Sequence, residues 1–322
     1  MSAYSKSDLE RIAKESGFIR DSLEKVVRLI DILIFFNANP ILSRHLALKG
    51  GTAINLTVFN LPRLSIDIDL DFIKECEKEE MFEIRKLINH EILSYMFTQG
   101  YTLSPKNRNP LSLDSWTFIY SNAGSNKDNL KIEINYSMRN HLYTMVQAKT
   151  NVDFTSSIEI QTLAPLELFG SKIKALIERT AARDLYDVYN MINQSLFSGS
   201  ELISLRKVVL FYLAVGGNNA PKTDFCFETI DNFNYPQIRA HLIPVLRKSE
   251  HFDFEKAKIE VKSFLIELMI LNDREREFIE AFNKQSFCPE LLFEDKAIIK
   301  RIKNHPMANW KTREKISDPR KS

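Results

Sequence analysis

The amino-acid sequence predicts an α/β chain of the α+β kind, a mixed sheet with flanking helices followed by a helical bundle. Three observations carry that expectation. Apolar residues recur at helix spacing before Pro40, short runs alternate at strand period between residues 47 and 162, and helical spacing returns from Pro165 almost to the end. With 322 residues, 44% hydrophobic and 27% charged, the chain has the composition of a folded protein with room for two domains.

Residues 7–15 and 21–36 predict two opening helices, the second with Leu23, Val26, Val27, Ile30, Leu33 and Ile34 at helical spacing and ended by residues 37–40. Residues 47–49 read as a short strand, Gly50 and Gly51 as a tight turn, and residues 52–59 as a helix capped by Thr52. Residues 65–73 alternate Asp with Ile, Leu and Phe, the period of a strand. A long amphipathic helix follows over 78–99, and Gly100 suits the left-handed position that closes it. Further strands are expected at 115–121, 130–136, 143–148 and 157–162, with a polar turn at 122–129, giving a sheet of about five strands. Beyond Pro165, helices are expected at 165–179, 183–193, 201–215, 254–271, 274–284 and 289–303. The change of pattern puts a domain boundary at residue 163, dividing 1–163 from 164–322.

Charge and cysteine usage narrow the class. The net charge of +2 is unevenly spread: residues 301–322 hold seven Lys/Arg (Arg301, Lys303, Lys311, Arg313, Lys315, Arg320, Lys321) against Glu314 and Asp318. Such a tail either contacts a polyanion or is simply solvated. Cys76, Cys226 and Cys288 match neither a zinc pattern nor a disulfide framework, which points to a reducing compartment. The first 20 residues lack a continuous apolar segment, and residues 26–36, the most apolar stretch, contain Arg28 and Asp31 and are too short to span a bilayer. A cytoplasmic protein without membrane contact is the reading.

The strongest chemical signal is Asp67-Ile68-Asp69-Leu70-Asp71. On a strand, period two puts the three carboxylates on one face and Ile68 and Leu70 on the other. Stacked like charges repel, and a bound cation removes the repulsion. Oxygen ligands without His or Cys favour Mg²⁺ or Mn²⁺, with Asp67 and Asp69 as the metal pair. The rival reading is the polar outer face of an edge strand. Before this strand, the backbone N–H groups around Gly50, Gly51 and Thr52 could donate to phosphate oxygens at a helix start, although any tight strand-to-helix turn also uses two glycines. Glu133 alternates with Ile132 and Ile134 and is either a third ligand, a general base or part of a wet strand face. Lys172, Lys174, Arg179, Arg183, Asp184 and Asp187 decorate two expected helices. Lys172 suits a phosphate, and an Asp here could bind a second metal or orient Lys172, against a reading of ordinary surface charges or salt bridges.

Lys49-Gly50-Gly51-Thr52-Ala53, then Arg63 and Ser65 leading into Asp67, Asp69, Asp71 and Phe72, then Lys172 and Arg183-Asp184-Leu185-Tyr186-Asp187 together resemble the AbiEii/AbiGii-type nucleotidyltransferase toxins. The resemblance spans residues 47–193. It implies a nucleotidyltransferase-like sheet of the DNA polymerase β superfamily with an added helical domain. By the same resemblance Asp67 and Asp69 hold the metal, and Gly50, Gly51, Thr52 and Ser65 contact the nucleotide. Lys172 and Asp187 match the catalytic lysine and the later acid, and Glu133 matches the superfamily's third carboxylate. The implied activity is transfer of a nucleoside monophosphate from an NTP to an acceptor, with RNA or tRNA and a cognate antitoxin as implied partners. The wider superfamily has Gly-Ser where this chain has Gly51-Thr52; Thr keeps the hydroxyl. Two rival functions use the same contacts: a protein phosphotransferase that moves the γ-phosphate, and a non-catalytic nucleotide-binding protein.

Overall fold

The computed structural model describes residues 5–313, apart from positions 106, 108 and 218. It opens with α1 (Lys6–Ser16), boxed at its start by Ser5 and Asp8, and α2 (Arg20–Ala38). The expected stop at residues 37–40 is instead a break between helices. The Asn39 side chain accepts from the amides of Ile41 (2.9 Å) and Leu42 (3.1 Å), and Pro40 takes the first helical position of α3 (Pro40–His45).

Next come β1 (Leu46–Lys49) and α4 (Gly50–Ala53), which runs on as a π-helical turn over Ile54–Val58. After β2 (Asp67–Phe72), α5 (Lys78–Thr98) ends near Gly100, whose φ of +80° is left-handed. The strands β3 (Thr102–Leu103), β4 (Leu113–Ser121), β5 (Lys127–Asn135), β6 (Val146–Lys149) and β7 (Glu159–Thr162) complete the first half. The sheet is larger than expected, with seven strands in the order β3-β4-β5-β2-β1-β7-β6. At two residues β3 is too short to display a period in sequence. The strand β2 lies in the interior, antiparallel to β1 and parallel to β5.

From α6 (Pro165–Glu178) the described chain is helical: α7 (Ala182–Asn193), α8 (Ser200–Gly216), α9 (Tyr235–His241), α10 (Phe254–Leu268), α11 (Asp273–Asn283), α12 (Pro289–Leu292), α13 (Lys296–Ile302) and α14 (Pro306–Lys311). The single helix expected over 289–303 is two, because the Asp295 carboxylate caps a new start by accepting from Ala297 N at 2.7 Å. Helices α9 and α14 were not legible as periodic runs; each is short, with proline in its first turn.

One apolar core runs from Leu23 and Ile30 through Ile68 and Ile132 to Phe169, Leu205 and Leu265, so the sheet and the helical half are packed together. The loop before β2 is tied in by Leu64 N donating to Val245 O at 2.8 Å. No helix among the described residues is long and apolar enough to cross a membrane. The basic C-terminal stretch is partly structural. Arg301 donates to Leu142 O at 2.9 and 2.5 Å, and Lys311 Nζ donates to Ala214 O at 2.9 Å and Gly217 O at 2.5 Å. These cations close the fold by satisfying carbonyls; Lys315, Arg320 and Lys321 lie outside the described residues.

Candidate active site

The three β2 carboxylates share a face but not an environment. Ile68 and Leu70 are buried in the core, and β2 sits between β1 and β5, so the edge-strand reading falls. Asp71 is buried and neutralised by Lys49 Nζ at 2.5 Å. Asp67 and Asp69 are half-buried, and neither carboxylate forms an ion pair or accepts a hydrogen bond from another described residue. The parallel register puts Glu133 beside Asp69. Burial, reinforced by the charges of Asp67 and Glu133 and opposed by Lys49 and Lys172, lifts the Asp69 carboxyl above the usual carboxylate range.

The glycine pair is explained by close approach. Gly50 has φ +70°, and a Cβ there would lie 2.6 Å from Asp69 Oδ2. A Cβ on Gly51 would meet Arg63 Nη2 at 2.8 Å and Ser65 Oγ at 3.1 Å. The two glycines therefore open α4 itself rather than forming a turn before it. Their amides and that of Thr52 belong to a first turn, where a helix supplies no acceptors of its own. Thr52 is not the cap expected from sequence. Its buried hydroxyl donates to Asp67 O at 2.5 Å and lies 2.9 Å from Ser65 Oγ, so these two hydroxyls bind α4 to the start of β2. Asn55 extends the same framework, donating to Gly51 O at 2.8 Å and reaching Asp187 Oδ1 at 3.4 Å.

Helix α7 carries a second pair of carboxylates, buried behind Lys172 and Arg179 of the cleft wall. Asp184 and Asp187 are three apart and hence on one face of α7. Both are buried, and both are fully engaged. Arg63 grips Asp187 bidentately, Nε to Oδ1 at 2.8 Å and Nη2 to Oδ2 at 2.6 Å. Lys172 Nζ donates to Asp184 Oδ1 at 2.8 Å and lies 3.1 Å from Asp187 Oδ2. Burial alone would raise the Asp187 carboxyl, but Arg63 and Lys172 outweigh it and hold the group below its ordinary value. Burial likewise opposes the charge on Lys172, and Asp187 and Asp184 more than offset it, so the ammonium stays protonated beyond its usual range. Lys172, Asp184 and Asp187 are buried rather than surface charges, and they are joined by salt bridges, as the plainer reading allowed.

A cleft of about 480 Å³ joins the two sets, lined by Lys49, Gly50, Gly51, Asp69, Asp71, Lys172, Lys174, Arg179 and Tyr212, among others. Its donor set is oxygen only. Among the described residues no three His, Cys, Asp or Glu side chains group closely enough to enclose a metal, so Glu133, paired with Lys131 at 3.0 Å, does not complete a cage with Asp67 and Asp69. The two unpaired carboxylates nevertheless fit a hard divalent cation that takes its remaining ligands from water and phosphate. Sequence reasoning passed over Asn55. Its only signal was a buried amide four residues after Gly51 in an otherwise apolar helical run. Tyr212 was missed as well; its hydroxyl donates to the buried Glu167 carboxylate at 2.7 Å, which fixes α8 against α6 below the cleft.

A family model described as the nucleotidyl transferase AbiEii toxin of type IV toxin–antitoxin systems matches residues 33–283, a span that contains every candidate residue from Lys49 to Asp187. Among solved structures the fold is similar to MenT4, the nucleotidyltransferase toxin Rv2826c from Mycobacterium tuberculosis H37Rv. That likeness has a TM-score of 0.62 and covers 95% of this chain and 99% of that one at 13% identity, and it speaks for the fold. No curated protein matches the chain.

Proposed function

The chain belongs to the AbiEii family of nucleotidyltransferase toxins, and from that premise we propose that it transfers a nucleoside monophosphate from an NTP to an RNA acceptor, releasing pyrophosphate, with Mg²⁺ or Mn²⁺ held by Asp67 and Asp69. One observation carries this reading. Asp69, a carboxylate without a protein partner and neighbour on β2 to the equally unpaired Asp67, lines the same cleft as a glycine-opened helix start and a buried, charged lysine. A cation bound there would offset phosphate charge and make the acceptor hydroxyl more acidic.

The roles of the chain's own residues follow from their surroundings. The first-turn amides at Gly50, Gly51 and Thr52 donate to β- and γ-phosphate oxygens, while the Thr52 and Ser65 side chains keep that turn against β2. The acceptor oxygen attacks the α-phosphorus, the bond to the bridging α–β oxygen breaks, and pyrophosphate departs with that electron pair. The acceptor proton passes to Glu133, the carboxylate in register with Asp69. Lys172 faces the developing charge, and Asp187, itself locked by Arg63, holds Lys172 in place. Residues 1–163 would then form the nucleotidyltransferase domain and 164–322 a helical domain that lends Lys172 and Asp187 to it. Within the family's type IV systems the chain is the toxin, and a cognate antitoxin restrains it in the cytoplasm.

The test is to incubate the protein with Mg²⁺, each NTP labelled at the α-phosphate, and total cellular RNA. Label retained in RNA with stoichiometric pyrophosphate is the expected result. In a parallel incubation with γ-labelled NTP, label transferred from that position alone would replace this reading with a phosphotransferase, and α-label retained in protein but not RNA would overturn the RNA acceptor.

A further inference from the structure

Taking the nucleotidyl-transfer reading as its basis, we infer that Arg179 is the principal side-chain contact for the β- and γ-phosphates of the incoming nucleotide, and that Asp184 positions it. The argument is one of charge and access. Along the cleft, Lys49 is paired with Asp71 at 2.5 Å, Lys174 with Glu178 at 2.7 Å, and Lys172 with both Asp184 and Asp187. Each of these ammonium groups already faces a carboxylate. Arg63 is buried and spends its fork on Asp187.

The cluster of Arg63, Lys172 and Arg179 with Asp184 and Asp187 holds three cations and two anions. One positive charge is left over, and its accessible end is Arg179. Its side chain is 67% exposed and lines the cleft, with only Nε donating to Asp184 Oδ2 at 3.0 Å. Its terminal nitrogens make no hydrogen bond to another described residue, which leaves the two-pronged edge that matches a phosphate. Asp184 is shared. Its Oδ1 accepts from Lys172 and its Oδ2 from Arg179, so a single carboxylate aims one cation at each part of the triphosphate. Arg179 also sits where α6 ends, in extended backbone, which gives its side chain reach that a mid-helix residue would lack.

The consequence is a division of labour. Arg179 reads the length of the phosphate chain, and Lys172 acts on the α-phosphate. The test uses the full chain with Mg²⁺ and no acceptor, measuring calorimetric affinity for each ribonucleoside tri-, di- and monophosphate. For Arg179→Ala we expect triphosphate affinity to fall on the order of tenfold or more, the loss of a charge-assisted contact. Monophosphate affinity should be unchanged, and Arg179→Lys should fall between wild type and Ala. The thermal midpoint should fall only slightly, because Lys172 still faces the buried Asp184 carboxylate when Arg179 is removed. In transfer assays KM for the NTP should rise with little change in kcat, whereas Lys172→Ala should lower kcat. Equal triphosphate affinity in Arg179→Ala and wild type would overturn the assignment, as would a parallel loss of monophosphate binding. If wild type bound no nucleotide at all, the nucleotidyl-transfer reading itself would fall, a result distinct from either.

Discussion

Two pairs of aspartates, one reaching the cleft through Asp69 and the other set behind Lys172 and Arg179, behave in opposite ways. Asp67 and Asp69, on β2, have no cationic partner in contact, and burial together with their neighbours' charges lifts the Asp69 carboxyl. Asp184 and Asp187, on α7, are more deeply buried yet are paired with Lys172, Arg63 and Arg179. Residue type is the same; the difference lies in what each element is packed against. A pair left without internal compensation can bind an external cation, whereas a compensated pair is a framework that holds other side chains. Buried acids in a cleft therefore do not all carry the same kind of chemistry.

The comparison predicts that the α7 pair is the more important for folding. Asp187→Asn strands Arg63 and Lys172 in the interior and should cost about 3–5 kcal/mol in urea unfolding, the range for breaking one side of a buried ion pair. A loss under 1 kcal/mol would place Asp187 with the β2 pair. The pH dependence has a definite sign. Because the Asp187 carboxyl is held below its ordinary value of 3.8, its contribution is complete above that pH and is lost as pH falls through the lower folded value. The acid limb of the wild-type stability curve below pH 3.8 should therefore flatten in Asp187→Asn.

Lys172→Ala should slow transfer by on the order of 10²-fold, equivalent to about 2.7 kcal/mol, in single turnovers at saturating NTP. A wild-type rate there would make the lysine part of the framework alone. A smaller effect is expected at the hinge between the two pairs. Gly50→Ala would put a methyl against Asp69 at a left-handed backbone position, costing about 1–2 kcal/mol and weakening the response to Mg²⁺. Smallest is Thr52→Val, which removes the hydroxyl bond to Asp67 O that keeps the phosphate turn against β2 and should cost about 1 kcal/mol in thermal unfolding with only a slight loss of nucleotide affinity.

Much of this contrast could be read from residues in order. The alternation at 67–71 placed the carboxylates on one face because strand period is rigid, and the three-residue spacing of Asp184 and Asp187 put them on one side of a helix. What could not be read was pairing across the chain. That Arg63 meets Asp187 depends on the chain folding back over a separation of 124 positions, and no local pattern encodes it. Thr52 was misplaced for a related reason. A hydroxyl after two glycines resembles a cap until its partner, the Asp67 carbonyl, is known. The short helices α3, α9 and α14 escaped because each has six or seven residues, fewer than periodicity needs, while their caps were visible as Asn39, Asn234 and His305.

The central claim is that the β2 pair is the cation site and is not part of the framework. Thermal unfolding of Asp69→Asn against wild type, with and without Mg-NTP, tests it most directly, followed by a transfer assay on the same samples. The account predicts a mutant at least as stable as wild type without ligand, since a repulsion has been removed, but with little stabilisation by Mg-NTP and no transfer. A mutant that transfers nucleotide with unchanged metal dependence, or that unfolds several kcal/mol more easily without ligand, would contradict it.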